Sequence, residues 1–344
     1  MRGLHYFKTF FFALVAMGAV TSASLHALAQ NDTGIRIGTG SIGGTYFPVG
    51  GLIANAISNP PGSLDCDLGG SCGVPGLIAG AVTSDGSVAN VIGISDGSLD
   101  MALTQADVAY FAYFGKGGVF AKDEPLDSLR AIANLFTESV HVVIRRDSGI
   151  VTVADLKGKR VSLDRKESGT RVLAEIVLKA YGLKPKDLKA SYERVGTSAG
   201  MLAEGTLDAF FIVSGDPVEA LAHLADEIDI DLVLIAGPVA EEIREAHPFL
   251  YSDIIPAGTY RGVGNIETLG IGAQLVVAET ADEELIYGIT QALWNPNNRK
   301  VLDSGHPNGK RIQLETALDG IAIPLHPGAA RFYEESGMTH AGVF

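Results

Sequence analysis

Two phrases of the sequence repeat one another, one in each half of the chain. They are Gly97-Ser98-Leu99-Asp100-Met101-Ala102-Leu103 and Gly205-Thr206-Leu207-Asp208-Ala209-Phe210-Phe211. In each phrase the glycine is expected to end a helix, the leucine to be buried, and the apolar residues after the aspartate to form a core strand. The repetition therefore predicts two halves built on the same plan.

A second pair of segments supports this plan. The strand-like run Ile35-Arg36-Ile37 leads into a loop over residues 38–44, and the run Arg160-Val161-Ser162-Leu163 leads into Glu167-Ser168-Gly169-Thr170. Each reads as a strand, a loop rich in Gly, Ser and Thr, and the start of a helix. Ligands of open parallel sheets bind beyond the carboxyl ends of the strands, where helix N-termini attract anions. The pair predicts an anion site between the halves, although ordinary turn chemistry explains either loop alone.

The alternation of short apolar runs with helical stretches is typical of α/β domains with largely parallel sheets. A chain of 344 residues is also longer than one hydrophobic core usually supports. We therefore expect two lobes, the first comprising residues 30–140 plus 278–344 and the second residues 141–277. The strands that join them are expected to include residues 141–144 and 273–277.

The N-terminus has the order of a cleavable secretion signal. Arg2 and Lys8 precede an apolar run over residues 10–20, and small residues follow up to Ala27-Leu28-Ala29. The run is well short of the roughly 20 residues that a membrane-spanning helix needs. Residues 1–29 are therefore predicted to be a removed signal peptide, and the mature chain is predicted to reside in the periplasm.

Charge and cysteine content exclude several classes of function. The net charge of −14 argues against nucleic acid and anionic membranes as partners, because both require clustered Lys and Arg. The only two cysteines, Cys66 and Cys72, could close a small loop in an oxidising compartment, and the sequence leaves open whether they do. No histidine lies near them, so a metal site is not expected there. No cofactor is predicted.

Two patterns offer enzymatic alternatives. Gly38-x-Gly40-x-x-Gly43 matches a dinucleotide fingerprint, but no acidic residue follows about 20 positions later. Gly196-Thr197-Ser198-Ala199-Gly200 matches the nucleophile elbow of a serine hydrolase, with Asp253 and His306 or His326 as partners. The polar run before it is a weak central strand, so a helix start capped by Thr197 or Ser198 is favoured instead. We expect no enzyme, and hydrolysis through Ser198 is kept as an alternative.

The ordered set of motifs resembles the TAXI-type solute receptors of tripartite ATP-independent periplasmic (TRAP) transporters. The similarity runs through essentially the whole mature chain. It depends on the segments Gly38-Thr39-Gly40-Ser41-Ile42-Gly43-Gly44-Thr45-Tyr46-Phe47-Pro48-Val49-Gly50, Ser84-Asp85-Gly86-Ser87-Val88-Ala89-Asn90, Gln105-Ala106-Asp107, Ser168-Gly169-Thr170, the second repeated phrase, Ile255-Pro256-Ala257-Gly258-Thr259-Tyr260, and Leu325-His326-Pro327-Gly328-Ala329-Ala330-Arg331-Phe332-Tyr333.

The resemblance implies a type II periplasmic-binding-protein fold, with two α/β lobes around a ligand cleft joined by hinge strands. It further implies no catalysis and a small acidic ligand, glutamate or another carboxylate, delivered to TRAP membrane subunits. A monomer is expected, and a periplasmic sensory protein is the alternative. The chain departs from the family pattern at Asp85, where Gly is common, at Ala106, where Ser is common, and at Asp164-Arg165-Lys166-Glu167, which is usually uncharged. These departures bear on the identity of the ligand.

The candidate ligand-binding residues follow from the loops and the resemblance together. Loop and helix-start residues of the first half would hold one end of the ligand, and residues 168–170 would engage it when the lobes close. Arg171 could pair with a ligand carboxylate or, from the first turn of its helix, face solvent. Asp107 could receive a ligand ammonium or cap the following helix as a structural residue. The full set is Ser41, Gly44, Thr45, Tyr46, Ser84, Ser87, Gln105, Asp107, Ser168, Gly169, Thr170, Arg171 and Ser214.

Overall fold

Ten strands form one continuous sheet in the computed structural model, which describes residues 33–120 and 124–339. The predicted signal peptide lies outside the described residues. Among the helices of the described segments, none has both the length and the apolar character needed to cross a bilayer.

The first half of the chain forms the elements that flank the first loop. In chain order they are β1 (Thr33–Gly38), α1 (Tyr46–Ile57), β2 (Ser58–Asn59), β3 (Val74–Pro75), β4 (Leu77–Val82), α2 (Ser87–Asp96), β5 (Met101–Gln105) and α3 (Ala106–Phe114). Helix α1 buries Val49, Ile53 and Ile57, which lie four residues apart on one face. That periodicity is why this segment is a helix packed on the sheet.

The remaining elements begin with a long strand. They are β6 (Leu129–Arg145), β7 (Arg160–Ser162), α4 (Gly169–Ala180), β8 (Lys189–Ser191), α5 (Val195–Ala203), β9 (Ala209–Ser214), α6 (Glu219–Glu227), β10 (Ile230–Leu232), α7 (Gly237–Ala246), β11 (Tyr251–Ile255), β12 (Ile266–Ala278), α8 (Glu283–Leu293), α9 (Arg299–Gly305) and α10 (Pro327–Glu335).

The order of the sheet is β4-β1-β5-β12-β6-β9-β7-β8, with β10 paired to β6 and β11 paired to β12. Strands β1, β4 and β5 are parallel, as are β7, β8 and β9. The long antiparallel strands β6 and β12 connect these two groups. The carboxyl ends of each parallel group therefore carry the loops that the sequence marked as ligand-binding.

The repeated phrases have the same role in both halves. Asp100 accepts a hydrogen bond from Nε of Arg36 at 2.9 Å, and Asp208 accepts one from Nε of Arg160 at 3.2 Å. Each aspartate also accepts from the backbone N–H of its arginine. The phrase thus fixes the strand after it against the first strand of the same half.

The strands that join the two groups begin earlier than expected. Strand β6 starts at Leu129, whereas the sequence suggested a start at His141. Residues 129–139 pair with β12, and residues 139–144 pair with β9. The polar residues between Asn134 and Ser139 conceal this continuity in the sequence, yet most of them are buried. The crossing between the groups therefore lies near Glu138.

Candidate functional site

A small cavity of about 50 Å³ lies where the loops of the two parallel groups meet. Ten of the thirteen candidate residues line it, drawn from both halves of the chain. They are Ser41, Gly44, Thr45, Tyr46, Ser87, Gln105, Ser168, Gly169, Thr170 and Ser214. The segments on which the sequence interpretation depended, residues 41–46 and 168–170, thus share one cavity.

Direct hydrogen bonds connect the two sides of this cavity. The hydroxyl of Thr45 donates to the carbonyl of Gly215 at 2.7 Å, and the hydroxyl of Ser214 donates to Thr45 Oγ1 at 2.9 Å. On another side of the cavity, the N–H of Ala89 donates to the carbonyl of Glu167 at 3.0 Å. The two halves are therefore closed on one another around the cavity, through direct hydrogen bonds.

Glycine permits the closest approach across the cavity. A Cβ atom at Gly169 would overlap the side-chain oxygen of Gln105 and lie 2.8 Å from Oγ of Ser87. At Gly86, which has a φ of +113°, a Cβ would lie 3.2 Å from Cα of Ser168. The absence of side chains at these two positions lets the start of α4 reach the first half.

Two carboxyl groups that the sequence reasoning missed also line the cavity. Glu138 is buried and accepts a hydrogen bond from the hydroxyl of Tyr46 at 2.6 Å, and its burial raises its pKa well above the usual range. Burial likewise raises the pKa of Asp164 to about 6. No Lys, Arg or His side chain is among the described residues that line the cavity. The one feature of the sequence that could have pointed to Glu138 is its position between two mostly apolar stretches, Ala131 to Phe136 and Val140 to Ile144.

Further acceptors without donors surround the cavity. The side-chain oxygen Oε1 of Gln105 is buried and has no hydrogen-bond partner in the described structure, and neither has Oδ2 of Asp107. Burial also raises the pKa of Asp107 to about 7. A buried acceptor without a donor is costly. Of these two residues only Gln105 lines the cavity, where its oxygen is an acceptor that a ligand carrying an N–H group would satisfy.

Several hydroxyl groups remain able to donate. Oγ of Ser87 accepts from the N–H of Gln105 at 3.1 Å, Oγ of Ser168 from Arg171 at 3.1 Å, and Oγ1 of Thr170 from Val213 at 3.1 Å. Because a hydroxyl donates one proton while also accepting, each of the three can donate to an oxygen, and those of Ser168 and Thr170 already lie within hydrogen-bonding range of the Asp164 carboxyl group.

Three candidate residues do not line the cavity. Ser84 donates to the carbonyl of Thr39 at 2.9 Å, and Oδ1 of Asp107 accepts from the N–H of Val108 at 2.7 Å. Arg171 donates to Glu175 at 2.9 Å, one helical turn away, and to the carbonyl of Lys166 at 2.6 Å. The guanidinium of Arg171 is therefore not positioned to pair with a ligand, because it already bonds to a side chain of its own helix and to a carbonyl of the preceding loop.

Sequence comparison assigns the chain to a known family. The family model described as NMT1-like family matches residues 37–337. The chain belongs to the NMT1-like family.

Solved structures similar to this NMT1-like protein share its fold. A protein from Bordetella bronchiseptica RB50 gives a TM-score of 0.51 at 15% identity, over 92% of this chain and 85% of that one. PhnD1 from Prochlorococcus marinus (MIT 9301), solved with methylphosphonate, gives 0.50 at 12% identity, over 90% and 100%. A structure described as a periplasmic transporter gives 0.50 at 11% identity, over 88% and 92%. The α/β periplasmic-binding-protein fold expected from the sequence is confirmed.

Among the described residues, the serine, aspartate and histidines of the hydrolase alternative do not form a triad. Ser198 lies inside α5, is buried, and donates to Oγ of Ser162 at 2.9 Å. Asp253 accepts from Ser139, while Nδ1 of His306 and of His326 accept backbone N–H groups two residues away. The predicted cap at Thr197 or Ser198 was wrong, since α5 begins at Val195 after Arg194.

The two cysteines of the NMT1-like chain are joined by a disulfide bond. The bridge lies on the segment between β2 and β3, and Sγ of Cys66 accepts a hydrogen bond from Nδ2 of Asn297 at 3.4 Å. The sequence did not decide whether the two cysteines are joined, and the structure shows that they are. Neither cysteine lines the cavity.

The charged departures from the TAXI pattern meet at the edge of the cavity. Asp85, from the first half, accepts from Arg165 at 3.2 Å and is also paired with Arg194, both from the second half. We call this group the Asp85 latch. It spans the two halves beside Gly86 and Ser168.

Proposed function

We propose that the protein is a periplasmic solute-binding protein which encloses a small amino acid and delivers it to a TRAP-type membrane transporter. The observation that carries this proposal is the closed cavity in which residues 41–46 and 168–170 meet. The lobes would be residues 30–140 plus 278–344 and residues 141–277, with residues 1–29 removed on export. Binding requires that these lobes open and close as hinged bodies.

The polar groups of the cavity favour a zwitterionic ligand, which carries both an ammonium group and a carboxylate. Glu138, Asp164 and Gln105 supply acceptors for an ammonium group. The hydroxyls of Ser87, Ser168 and Thr170, with the N-terminus of α4, would hold a carboxylate. A simple dicarboxylate would bring its second negative charge into a cavity whose described lining has no cation, which is why an amino acid fits best.

A ligand screen tests the proposal. Thermal unfolding of the mature protein should be followed with each L-amino acid beside the α-keto and α-hydroxy acids of the same side chain. At least one amino acid is expected to raise the melting temperature in a concentration-dependent way. A panel in which no compound stabilises the protein would refute the solute-binding proposal.

Delivery to TRAP-type membrane subunits rests on the motif resemblance. Proteoliposomes that contain TRAP-type membrane subunits should take up the stabilising amino acid only when this protein is added. Uptake that is independent of the protein would contradict delivery.

Removal of the Asp85 latch should speed ligand release. In Asp85→Asn two partly exposed ion pairs between the halves are lost, each worth about 0.2–1 kcal/mol. We therefore expect dissociation of the amino acid to be roughly threefold to tenfold faster, measured by stopped-flow in low salt. The difference should shrink in about 0.5 M NaCl, because salt screens exposed charges.

The matched control is Asp127→Asn, which removes an exposed carboxylate far along the sequence from the latch. The amino acid should dissociate from this control at the same rate as from the parent protein. Equal dissociation rates for Asp85→Asn and the parent would show that the latch does not hold the closed state.

A further inference from the structure

A second and larger cavity, of about 680 Å³, lies against the strands that connect the two halves. Its lining includes Asn134 and Thr137 of β6, Tyr251 and Asp253 of β11, and Gly272 of β12. We call it the hinge groove. Its volume is in the range of sites that hold small molecules, roughly 300 to 1,000 Å³.

Two glycines in alternate positions of β12 let side chains of the neighbouring strands lie close against the floor of this groove. Gly272 lines the groove, and Gly270 lies two residues away on the same face of the strand. A Cβ at Gly270 would lie 2.5 Å from the ring of Tyr251 and 3.0 Å from Cβ of Asp253. Glycine weakens a strand interior and often marks a place where a ligand approaches the backbone closely.

An unsatisfied acceptor faces the same floor. The side chain of Asn134 is 9% exposed, and its oxygen Oδ1 has no hydrogen-bond partner in the described structure. Its amide nitrogen is already used, since Nδ2 donates to the carbonyl of Thr316 at 3.3 Å. A Cβ at Gly272 would overlap Oδ1, so the glycine makes room for this acceptor. The groove therefore has a buried oxygen that requires a donor.

The charges around the groove favour a cation. Three carboxylates line it, those of Asp216, Asp253 and Asp319, against one cation, Arg311, among the described residues. Arg311 pairs with Asp216 through two hydrogen bonds of 2.9 and 3.2 Å. Asp253 accepts from Ser139 through one oxygen, and it has no cation within salt-bridge distance in the described structure. Within the described residues, the carboxylates of Asp253 and Asp319 thus remain without a paired cation.

Apolar side chains complete the groove. Phe249 and Ile254 line it, and the ring of Tyr251 is 40% exposed while its hydroxyl donates to Thr137 at 2.9 Å. Burial raises the pKa of Tyr251 to about 12, so the ring stays neutral at physiological pH. Aromatic faces beside carboxylates are suited to an ammonium group on a short hydrocarbon chain.

We propose that the hinge groove is a second binding site, which takes a small organic cation with a primary ammonium group. The ammonium donates to Oδ1 of Asn134 and to Asp253, and its hydrocarbon chain lies against Phe249 and Ile254. The site is separate from the closed cavity: Thr137 lines the groove, whereas Glu138, the next residue, lines the cavity. Successive strand residues point to opposite faces of a sheet.

Isothermal titration with n-butylammonium chloride in sodium phosphate tests this site on the mature protein. Binding is expected, and both Asp253→Asn and Asp319→Asn should weaken it, Asp253→Asn by about tenfold because a charge-assisted hydrogen bond is lost. Butyrate and butanol, which have the same chain length without the cation, should not bind. Asp319 is exposed, so its variant tests the groove even if Asp253→Asn unfolds.

Two control variants distinguish binding in the groove from general attraction to the acidic surface and from binding in the closed cavity. Asp127→Asn removes one exposed charge elsewhere, and Glu138→Gln changes the closed cavity; both should bind butylammonium like the parent. Loss of binding in Glu138→Gln, or equal weakening in Asp127→Asn, would overturn the proposal, as would absence of binding to the parent. None of these outcomes depends on the amino-acid screen, so failure of one proposal is distinguishable from failure of the other.

Discussion

Replacement of Gly169 by alanine is expected to reduce amino-acid affinity roughly 5- to 150-fold while the protein stays folded. The new methyl group would overlap the side chain of Gln105 and press against Ser87, both in the opposite half. Because the clash exists only when the halves meet, it acts against closure and leaves each half intact. Titration calorimetry with the amino acid from the screen would measure the loss, and small-angle scattering would show that the ligand no longer makes the variant compact.

The matched control for this change is Gly200→Ala. Gly200 is an exposed glycine of α5 in the second half, and a Cβ there would meet no atom within 4 Å. This control should bind as the parent does. Parent-like affinity and compaction in Gly169→Ala would mean that the closed arrangement is not the ligand-bound state.

The second large effect is expected for Glu138→Gln. This variant keeps the size of the side chain and an oxygen to accept from Tyr46, but it removes the negative charge beside a ligand ammonium. Loss of a charge-assisted hydrogen bond corresponds to roughly 10- to 100-fold weaker binding of the amino acid. The α-keto acid of the same side chain lacks the ammonium, so its affinity should be unchanged or increased.

The response to pH provides an independent check. Burial raises the pKa of Glu138, so this group is protonated over more of the pH range than an exposed glutamate. Amino-acid affinity should therefore increase as the pH rises through that pKa, and this part of the dependence should be missing in Glu138→Gln. Equal losses for the amino acid and its keto acid would indicate a structural role for Glu138.

Local signals predicted the loops but not the whole lining of the cavity. The strand, loop and helix-start patterns located residues 41–46 and 168–170 because each depends only on neighbours in the sequence. Ser84 and Arg171 were also candidates, yet their side chains bond to nearby groups, and whether a side chain does so depends on its rotamer and on the rotation of its helix. The order of residue types in the sequence does not determine these hydrogen-bond partners.

Glu138 was missed for a different reason. Its strand was expected to begin at residue 141, so residues 134–139 were treated as lying outside the sheet. They are buried because two groups of strands meet there, which is a property of the tertiary fold. The Asp85 latch also escaped prediction, since its three members are far apart in the chain, although the departure of Asp85 and Arg165 from the family pattern was visible.

The adjacency of Thr137 and Glu138 has a thermodynamic consequence. One peptide unit joins a residue of the groove to a residue of the cavity, so a ligand that moved β6 at one site would also move the strand at the other site. If the cation changes the affinity for the amino acid by some factor, the amino acid must change the affinity for the cation by the same factor. The two occupancies would then be linked, and solute capture would respond to the amine content of the surroundings.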